Sequence, residues 1–158
     1  MLSPNLYMMI GLPGVGKSTW IRNHAGPHNQ IVVSSDDYIE TIARYQNKTY
    51  NEVFKDSVKD AEKYMYDRAA YAVENDFDVI WDQTNLNQKT RMKKLDRFPD
   101  YYNKIAVCVF CENKKEWERR LNNRPGKTIP AHIINSMAES YQYPVPGEGF
   151  DEIIEYLN

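Results

Sequence analysis

The sequence predicts an α/β fold in which a parallel sheet carries helices on both faces. Short apolar runs alternate with longer helix-like segments along the chain, which is the pattern of repeated strand-helix-strand units. A glycine-rich segment from Gly11 to Ser18 follows the first apolar run directly, as at a strand-to-helix turn. The length of 158 residues suits one domain, which we take to cover residues 1–158.

The apolar runs and their flanking residues place the elements in order. Gly and polar residues bound the runs, and Pro130 suits the first turn of a helix, which needs no backbone donor there. Pro144 and Pro146 limit how far that last helix extends. Strands are predicted over 6–10, 30–33, 78–82, 104–110 and 150–155. Helices are predicted after Lys17, from Asp37 to about Tyr45, from about Asn51 to Asn75, from about Gln88 to Phe98, from Lys114 to Asn123 and from Pro130 to Tyr141.

The segment from Gly11 to Ser18 has the spacing G-x-x-x-x-G-K-S of a Walker A loop. In such a loop backbone N–H groups cradle phosphates, and the following helix adds the positive end of its dipole. Lys17 is expected to reach the β- and γ-phosphates of ATP and Ser18 to bind Mg²⁺. The fold is therefore predicted to be a three-layer P-loop NTPase fold. The candidate nucleotide-binding residues in the loop are Gly11, Pro13, Gly14, Val15, Gly16, Lys17, Ser18 and Thr19.

Composition limits the partners and the cellular location that the protein can have. The formal net charge of −2 argues against a global basic field, although basic residues exceed acidic ones from Lys89 to Lys127. Apolar stretches are far shorter than the ~20 residues that cross a bilayer, and no cleavable leader begins the chain. We therefore expect a cytoplasmic protein. Its tyrosines between Tyr38 and Tyr71 are expected mainly to pack, with base stacking as the alternative.

The two cysteines, Cys108 and Cys111, form a C-x-x-C pair inside an apolar strand. Residues three apart on a strand point to opposite faces, so the two thiols do not readily share a metal. Reactive C-x-x-C pairs lie at helix N-termini, so structural packing is the favoured interpretation.

Ligands of open parallel sheets lie beyond the carboxyl ends of the strands, where Asp36 follows the second strand. Its carboxylate is the candidate general base, able to accept the proton of an attacking hydroxyl. Asp37 is a candidate substrate-binding residue. The alternative for Asp37, or for Ser35, is that it caps the following helix.

A further polar group follows the third strand. Asp82 resembles a Walker B carboxylate that orients Mg²⁺ or its waters. Thr84 and Asn85 offer neutral donors and acceptors to the substrate, whereas helix capping is the favoured role of Asn87. Arg91, in the basic stretch from Lys89 to Arg97, is a further candidate for substrate binding.

Arginines before a Pro-Gly turn predict a lid around residues 119–128. Arg124 is the candidate catalytic arginine, because a cation beside the turn can neutralise charge on the transferring phosphoryl group. Arg120 is a candidate nucleotide-binding residue. Arg119 is expected to lie on a solvated helix face.

Taken together, these segments resemble the kinase domain of bacteriophage polynucleotide kinase/phosphatases across nearly the whole chain, in the same order. The tail is similar to the P-x-x-x-E-G-F segment that ends related animal kinase domains. The segments that carry the resemblance are Gly11 to Trp20, Asp36 to Tyr38, Thr84 to Asn87, Arg120 to Arg124, Ile129-Pro130, Ser136-Met137 and Tyr143 to Ile153.

The resemblance implies an adenylate-kinase-like fold and ATP-dependent phosphorylation of the 5′-hydroxyl ends of DNA or RNA. It gives Asp36 the role of general base, Lys17 and Ser18 those of phosphate and Mg²⁺ residues, and Arg124 that of the lid arginine. The chain departs from the phage pattern at two acceptor-side positions, where Ile39 replaces an arginine and Gln83 an aspartate. A phosphatase signature D-x-D-x-T is absent from the sequence.

The expected function is an ATP- and Mg²⁺-dependent polynucleotide kinase, in the host cytoplasm if the chain is of phage origin. Alternatives are a phage 5-hydroxymethyluracil DNA kinase, used in base hypermodification, and a nucleoside or small-molecule kinase. A nucleotide-gated binding module would not need the carboxylate of Asp36 on the acceptor side. The natural acceptor, the choice of DNA or RNA, the preferred nucleotide donor and the oligomeric state are left open by the sequence.

Overall fold

A single parallel sheet organises the protein in the computed structural model, which describes residues 2–24, 26 and 29–158. The strand order is β2-β3-β1-β4-β5, and every neighbouring pair is parallel. The strand that precedes the glycine-rich loop is therefore central. The strands are β1 (Asn5–Ile10), β2 (Gln30–Val33), β3 (Asp78–Trp81), β4 (Asn103–Phe110) and β5 (Glu152–Leu157).

Six helices connect or flank these strands in the described residues, and polar caps fix where several of them begin. Ser34, Asn87 and Asn113 each accept a backbone N–H from their own first turn, and Thr49 forms a reciprocal capping box with Glu52. The helices are α1 (Lys17–Asn23), α2 (Ser35–Gln46), α3 (Tyr50–Glu74), α4 (Gln88–Leu95), α5 (Lys114–Asn122) and α6 (Ala131–Ser140).

Strand alternation divides the core into two layers of side chains. Leu6 and Met8 of β1 pack with Met65 of α3 and Leu95 of α4 on one face of the sheet. Met9 packs with residues of α1 and α5 on the other face, including Trp20 and Trp117. Apolar runs that are buried on both faces are what a covered parallel sheet requires. The predicted three-layer α/β P-loop fold is thereby confirmed.

The predicted elements agree with the observed ones to within a few residues at each end. Asn87 caps α4 as predicted, and Pro130 stands at the N-cap of α6. The expectation that Asp37 or Ser35 caps α2 is wrong, since the side chain of Ser34 accepts the N–H of Asp37. Cys108 and Cys111 pack against opposite faces of the sheet, as their spacing predicts.

The hairpin of α2 and α3 has a small core of its own beyond the sheet. Ile39 is 1% exposed and packs with Ala43, Val53 and Ala61. An arginine side chain at position 39 would have to turn out of this apolar cluster, because burying its charge there is costly. The apolar Ile39 suits the position. Within the described residues, none of the helices is both long and apolar enough to cross a membrane.

Candidate active site

The glycine-rich loop between β1 and α1 adopts a conformation that only glycine accepts easily at two positions. Gly14 has φ of 80° and Gly16 has φ of 112°. A Cβ on Gly14 would lie 3.2 Å from a methyl group of Leu121, and one on Gly16 would collide with the side chain of Asn158. The loop therefore turns tightly and leads directly into α1, as a phosphate cradle does.

Lys17 opens α1 and folds back over the loop. Its ammonium donates to the carbonyl oxygens of Gly11, at 2.7 Å, and Leu12, at 2.9 Å. Burial lowers the pKa of Lys17 to about 8, and the carboxylate of Asp82 opposes that shift. A desolvated ammonium with only carbonyl partners gains strongly from an arriving phosphate, because charge-assisted hydrogen bonds are about twice as strong as neutral ones.

Helix α5 supports the outer side of the loop. The indole N–H of Trp117 donates to the carbonyl of Pro13 at 2.7 Å, and the guanidinium of Arg120 approaches the carbonyl of Gly14 at 3.4 Å. Arg120 also binds Glu116 at 3.0 Å, so it lies beside the nucleotide loop as a candidate nucleotide residue would. Arg119 is more exposed and pairs with the same Glu116.

The carboxylate of Asp36, in the first turn of α2, is held by two other segments. The hydroxyl of Tyr50 donates to Oδ1 at 2.6 Å, and the ammonium of Lys127 donates to Oδ2 at 3.0 Å. Lys127 also binds Glu40, one turn further along α2, at 3.0 Å. Burial and the hydrogen bond to Asp36 raise the pKa of Tyr50, which keeps its phenol a donor.

The candidate lid around residues 119–128 docks on the start of α3. The backbone N–H of Asn51 donates to the carbonyl of Gly126 at 3.0 Å, and its side chain binds Thr128 at 3.2 Å. Gly126 has φ of 67°, and a Cβ there would lie 2.7 Å from Thr49. This close approach brings Lys127 to Asp36.

Arg124 lies in the same segment, and its charge acts on the nucleotide loop. Its positive charge, with that of Lys127, contributes to lowering the pKa of Lys17. Its Nη1 is buried and makes no hydrogen bond within the part of the chain that the structure describes. A buried guanidinium nitrogen without a partner is a strong donor for an anionic ligand.

Asp82 follows β3, next to the strand that carries the loop, and its backbone N–H donates to Val33 at 2.9 Å. Burial raises the pKa of Asp82, and the nearby carboxylates of Asp37 and Asp36 raise it further. A divalent cation would relieve this repulsion, so Asp82 and the exposed hydroxyl of Ser18 fit a Mg²⁺ ion. No group of three or more His, Cys, Asp or Glu side chains in the described residues forms a metal site alone. Mg²⁺ commonly completes its shell with phosphates and waters.

Two candidate substrate-binding residues, Asn85 and Arg91, are structural in this conformation. Asn85 is 2% exposed, and its amide donates to the carbonyl of Met9 at 2.8 Å. Arg91 is fully buried and pairs with Glu148. Both side chains are buried and held by contacts within the protein, which differs from the expected role in acceptor binding. Thr84 stays partly open and lines a pocket, and Asp37 stays exposed beside Asp36.

Several residues around the acceptor side are not in the sequence prediction for the site. The sequence predicts only packing or base stacking for Tyr50, yet its hydroxyl donates to Asp36, the candidate base. Lys127 falls in the predicted lid, and the Pro-Gly-Lys turn was a signal that pointed to it. Lys94 donates to Gln83, the residue before Thr84, and no local pattern in the sequence predicts this hydrogen bond.

Comparison with known proteins identifies the family. The model of the family AAA_33, described as an AAA domain, matches residues 6–144. The match covers most of the chain, and the chain therefore belongs to this family of P-loop domains. Heterogeneous nuclear ribonucleoprotein U-like protein 2 of Mus musculus is 26% identical over 155 residues. That match covers 92% of this chain and 20% of the relative, so the chain spans about a fifth of the length of that protein.

Similar solved structures are small kinases and a nucleic-acid repair assembly. The Pnkp1/Rnl/Hen1 RNA repair complex matches with a TM-score of 0.65 and 22% identity, covering 89% of this chain and 44% of that one. A putative kinase from Chloroflexus aurantiacus matches with a TM-score of 0.70 and 17% identity, covering 99% and 86%. A gluconokinase from Sinorhizobium meliloti matches with a TM-score of 0.57 and 15% identity, covering 99% and 84%. The fold is therefore that of P-loop kinases.

Proposed function

We propose that this member of the AAA_33 family is an ATP- and Mg²⁺-dependent kinase that phosphorylates the 5′-hydroxyl of a nucleic acid. The observation that carries the proposal is the position of Asp36. Its carboxylate lies on the acceptor side of the Walker loop and is near enough to influence the pKa of Lys17. A phosphate cradle and an acceptor-side carboxylate at one sheet edge are the two parts that in-line transfer requires.

The residues divide the transfer step between them. Asp36 accepts the proton of the acceptor hydroxyl while that oxygen attacks the γ-phosphorus, and the bond to the leaving ADP oxygen breaks. Tyr50 and Lys127 hold the carboxylate in place. Lys17 and Arg124 offset the negative charge that develops between attacking and leaving oxygens. These roles need positioning more than covalent chemistry.

The metal would be held by Ser18 and Asp82 on the nucleotide side. When bound there, Mg²⁺ would neutralise negative charge on the phosphates. Asp82 suits this role because its carboxylate is desolvated and lies near the carboxylates of Asp37 and Asp36, two features that favour a cationic ligand. Its backbone bond to β2 keeps the carboxylate at the edge of the sheet.

Nucleic acid is favoured as acceptor by the order of motifs shared with polynucleotide kinases and by the fold shared with an RNA repair complex. The basic stretch on α4 supplies fewer surface charges than its sequence suggests. Arg91 and Lys94 are buried, which leaves Lys89, Lys93 and Arg97 exposed. We therefore expect the rate of transfer to fall with rising salt, but with a shallow slope, because few phosphates are neutralised.

A small-molecule kinase is the second candidate. The gluconokinase of similar fold is covered over 84% of its length, so a domain of this size serves a small acceptor there. The apolar Ile39 in α2 favours this candidate, because it removes a cation from the acceptor side. Both candidates use Asp36, Lys17 and Arg124 in the same roles.

The deciding experiment offers labelled ATP and four acceptors to the purified protein. The acceptors are an oligonucleotide with a free 5′-hydroxyl, a duplex that contains 5-hydroxymethyluracil and has phosphorylated 5′ ends, free nucleosides, and gluconate. We expect label on the first acceptor. Lys17→Ala serves as the control for contaminating kinases, because it removes the phosphate-binding ammonium.

Other outcomes reassign the acceptor. Label on the duplex alone would move the function to base hypermodification, and label on nucleosides or gluconate alone would establish a small-molecule kinase. ATP binding without any transfer, across all four acceptors, would contradict kinase activity and leave a nucleotide-gated binding module.

A further inference from the structure

Helix α4 buries two cations, and only one of them has a counter-ion. Arg91 is fully buried, and its guanidinium binds both carboxylate oxygens of Glu148, at 2.5 and 3.2 Å. It also donates to the carbonyl of Asn85 at 2.9 Å. This is the arrangement expected of a buried charge, which is stable only when it is paired and hydrogen-bonded.

Lys94, one turn further along, is 4% exposed and lacks such a partner. Its ammonium donates to the amide oxygens of Gln83, at 2.6 Å, and of Asn85, and lies 5.3 Å from the ring centre of Trp81. In the described ranges no carboxylate oxygen lies within 4.0 Å of its Nζ. Burial lowers the pKa of Lys94 to about 7. An anion bound beside this side chain would favour its charged form and raise the pKa again.

Lys94 forms part of the wall of a pocket of about 320 Å³ between α3, α4 and the loop after β3. That volume is in the range of ligand-binding pockets. Thr84, Asn87 and Thr90 add hydroxyl and amide groups to the wall, and Lys93 adds a second ammonium. Glu62 also borders the pocket and is exposed, and its charge partly opposes the lowering of the pKa of Lys94.

The pocket is connected to the proposed active site through Gln83. The amide oxygen of Gln83 accepts from Lys94, and its amide nitrogen donates to the hydroxyl of Ser35 at 3.0 Å. Ser35 directly precedes Asp36 in the first turn of α2. A ligand of Lys94 would thus be connected to the segment that carries the proposed base through the side chain of Gln83 alone.

We propose that this pocket binds a phosphate group of the acceptor nucleotide, with Lys94 as its counter-ion. The proposal rests on the proposed function, since the pocket lies on the acceptor side of Asp36. An ammonium has three donors, and two are used by the amides of Gln83 and Asn85, which leaves one for a ligand. Phosphate suits the wall because Thr84, Thr90 and Lys93 add hydroxyl and ammonium donors to that of Lys94.

Binding is tested first without any transfer reaction, by following the indole N–H signals in an NMR titration with inorganic phosphate. The indole of Trp81 donates to Gln83 at 3.1 Å and reports on the pocket. The indole of Trp117 donates to Pro13 and reports on the Walker loop. We expect phosphate to shift the Trp81 signal in the wild type. That shift should vanish in Lys94→Met and persist in the control Lys89→Met, because Lys89 is an exposed lysine of α4 outside the lining of the pocket.

A shift of the Trp117 signal alone would assign phosphate to the Walker loop and overturn the proposal. An equal Trp81 shift in wild type and Lys94→Met would also overturn it. Lys94→Gln is the second variant if Lys94→Met does not fold, since its amide can still donate to Gln83 and Asn85 but carries no charge. We expect it to lose the phosphate response as well.

Kinetics then separates the pocket from the proposed function. A nucleoside 3′-phosphate should have a KM roughly 10-fold or more below that of the plain nucleoside, as expected for one charged hydrogen bond. Lys94→Met should abolish this preference, so that the nucleoside 3′-phosphate and the plain nucleoside have the same KM. Phosphate binding that depends on Lys94, without transfer to any nucleotide, would support the pocket and contradict the function. Transfer whose 3′-phosphate preference survives in Lys94→Met would contradict the pocket and support the function.

Discussion

The nucleotide side and the acceptor side of this edge of the sheet are built in different ways. The phosphate cradle of the nucleotide side is one continuous segment, from Gly11 to Thr19, formed largely by its backbone. The acceptor side is assembled from α2, α3, the lid and the loop after β3, whose side chains meet across long sequence separations. The ligand of a contiguous loop can be predicted from its sequence. The ligand of a pocket assembled from distant segments can be inferred only from the folded structure.

The largest effect is expected on the nucleotide side, from Lys17→Ala. The ammonium is needed to neutralise the β- and γ-phosphates, so transfer should fall by ~10³-fold or more. The fold should remain, because Lys17 binds only two loop carbonyls in the free protein. Arg22→Ala, on the exposed face of the same helix, is the matched control and should leave the rate unchanged. Full activity in Lys17→Ala would contradict the assignment of the loop.

On the acceptor side, Asp36→Asn should lower turnover by ~10²–10⁴-fold, the usual contribution of a general base. The affinity for ATP, measured by calorimetry, should change little. Glu40→Gln is the control, because Glu40 shares Lys127 with Asp36 but lies one turn away. If Asp36→Asn weakens ATP binding and leaves turnover intact, Asp36 belongs to the nucleotide side and the comparison of the two sides fails.

Arg124, the candidate lid arginine, is expected to act on the phosphoryl group that passes between the two sides. Arg124→Ala removes a buried donor that faces the phosphates, so turnover should fall by about 10²-fold. Arg119→Ala removes an exposed partner of Glu116 and should have almost no effect. The two variants are compared by single-turnover kinetics with saturating ATP. Equal losses would indicate a diffuse basic surface in place of a specific lid arginine.

Tyr50→Phe measures how much the acceptor side depends on positioning. The variant removes one hydrogen bond to the carboxylate of Asp36, so turnover should fall by roughly 10-fold while the affinity for ATP stays the same. Tyr45→Phe is the control, since Tyr45 is 89% exposed and lies on the same helical hairpin. A Tyr50→Phe variant that turns over at the wild-type rate would show that Lys127 alone positions the carboxylate.

The sequence predicts the fold and the nucleotide loop because both depend on local patterns. Apolar runs on both faces identify the strands, and the spacing of Gly16, Lys17 and Ser18 identifies the cradle. It does not predict that Arg91 pairs with Glu148, because that contact joins residues 57 positions apart. Nor does it show that Lys94 is buried, since Lys93 and Lys94 are chemically alike and only the packing of α4 separates them.

An effect on stability, and not on the rate, is expected from the two desolvated lysines, one on each side, whose pKa values are lowered to about 8 for Lys17 and about 7 for Lys94. A lowered pKa means that, between about 7 and 10.5, the unfolded chain holds a proton on Lys94 that the folded protein releases. Stability therefore rises with pH across this window, whereas below it both states are protonated and the burial cost is complete.

The free energy of unfolding of the wild type, minus that of Lys94→Met, should accordingly increase by at most ~1.4 kcal/mol per pH unit above pH 7. Urea titrations in a phosphate-free buffer at pH 7, 8 and 9 measure this difference, and subtraction cancels the contribution of Lys17. The exposed control Lys93→Met should show a flat difference over the same range. A flat difference for Lys94→Met as well would mean that Lys94 stays charged in the folded protein, already satisfied by its amide partners. The acceptor side would then contain no lysine with a lowered pKa to correspond to Lys17 on the nucleotide side.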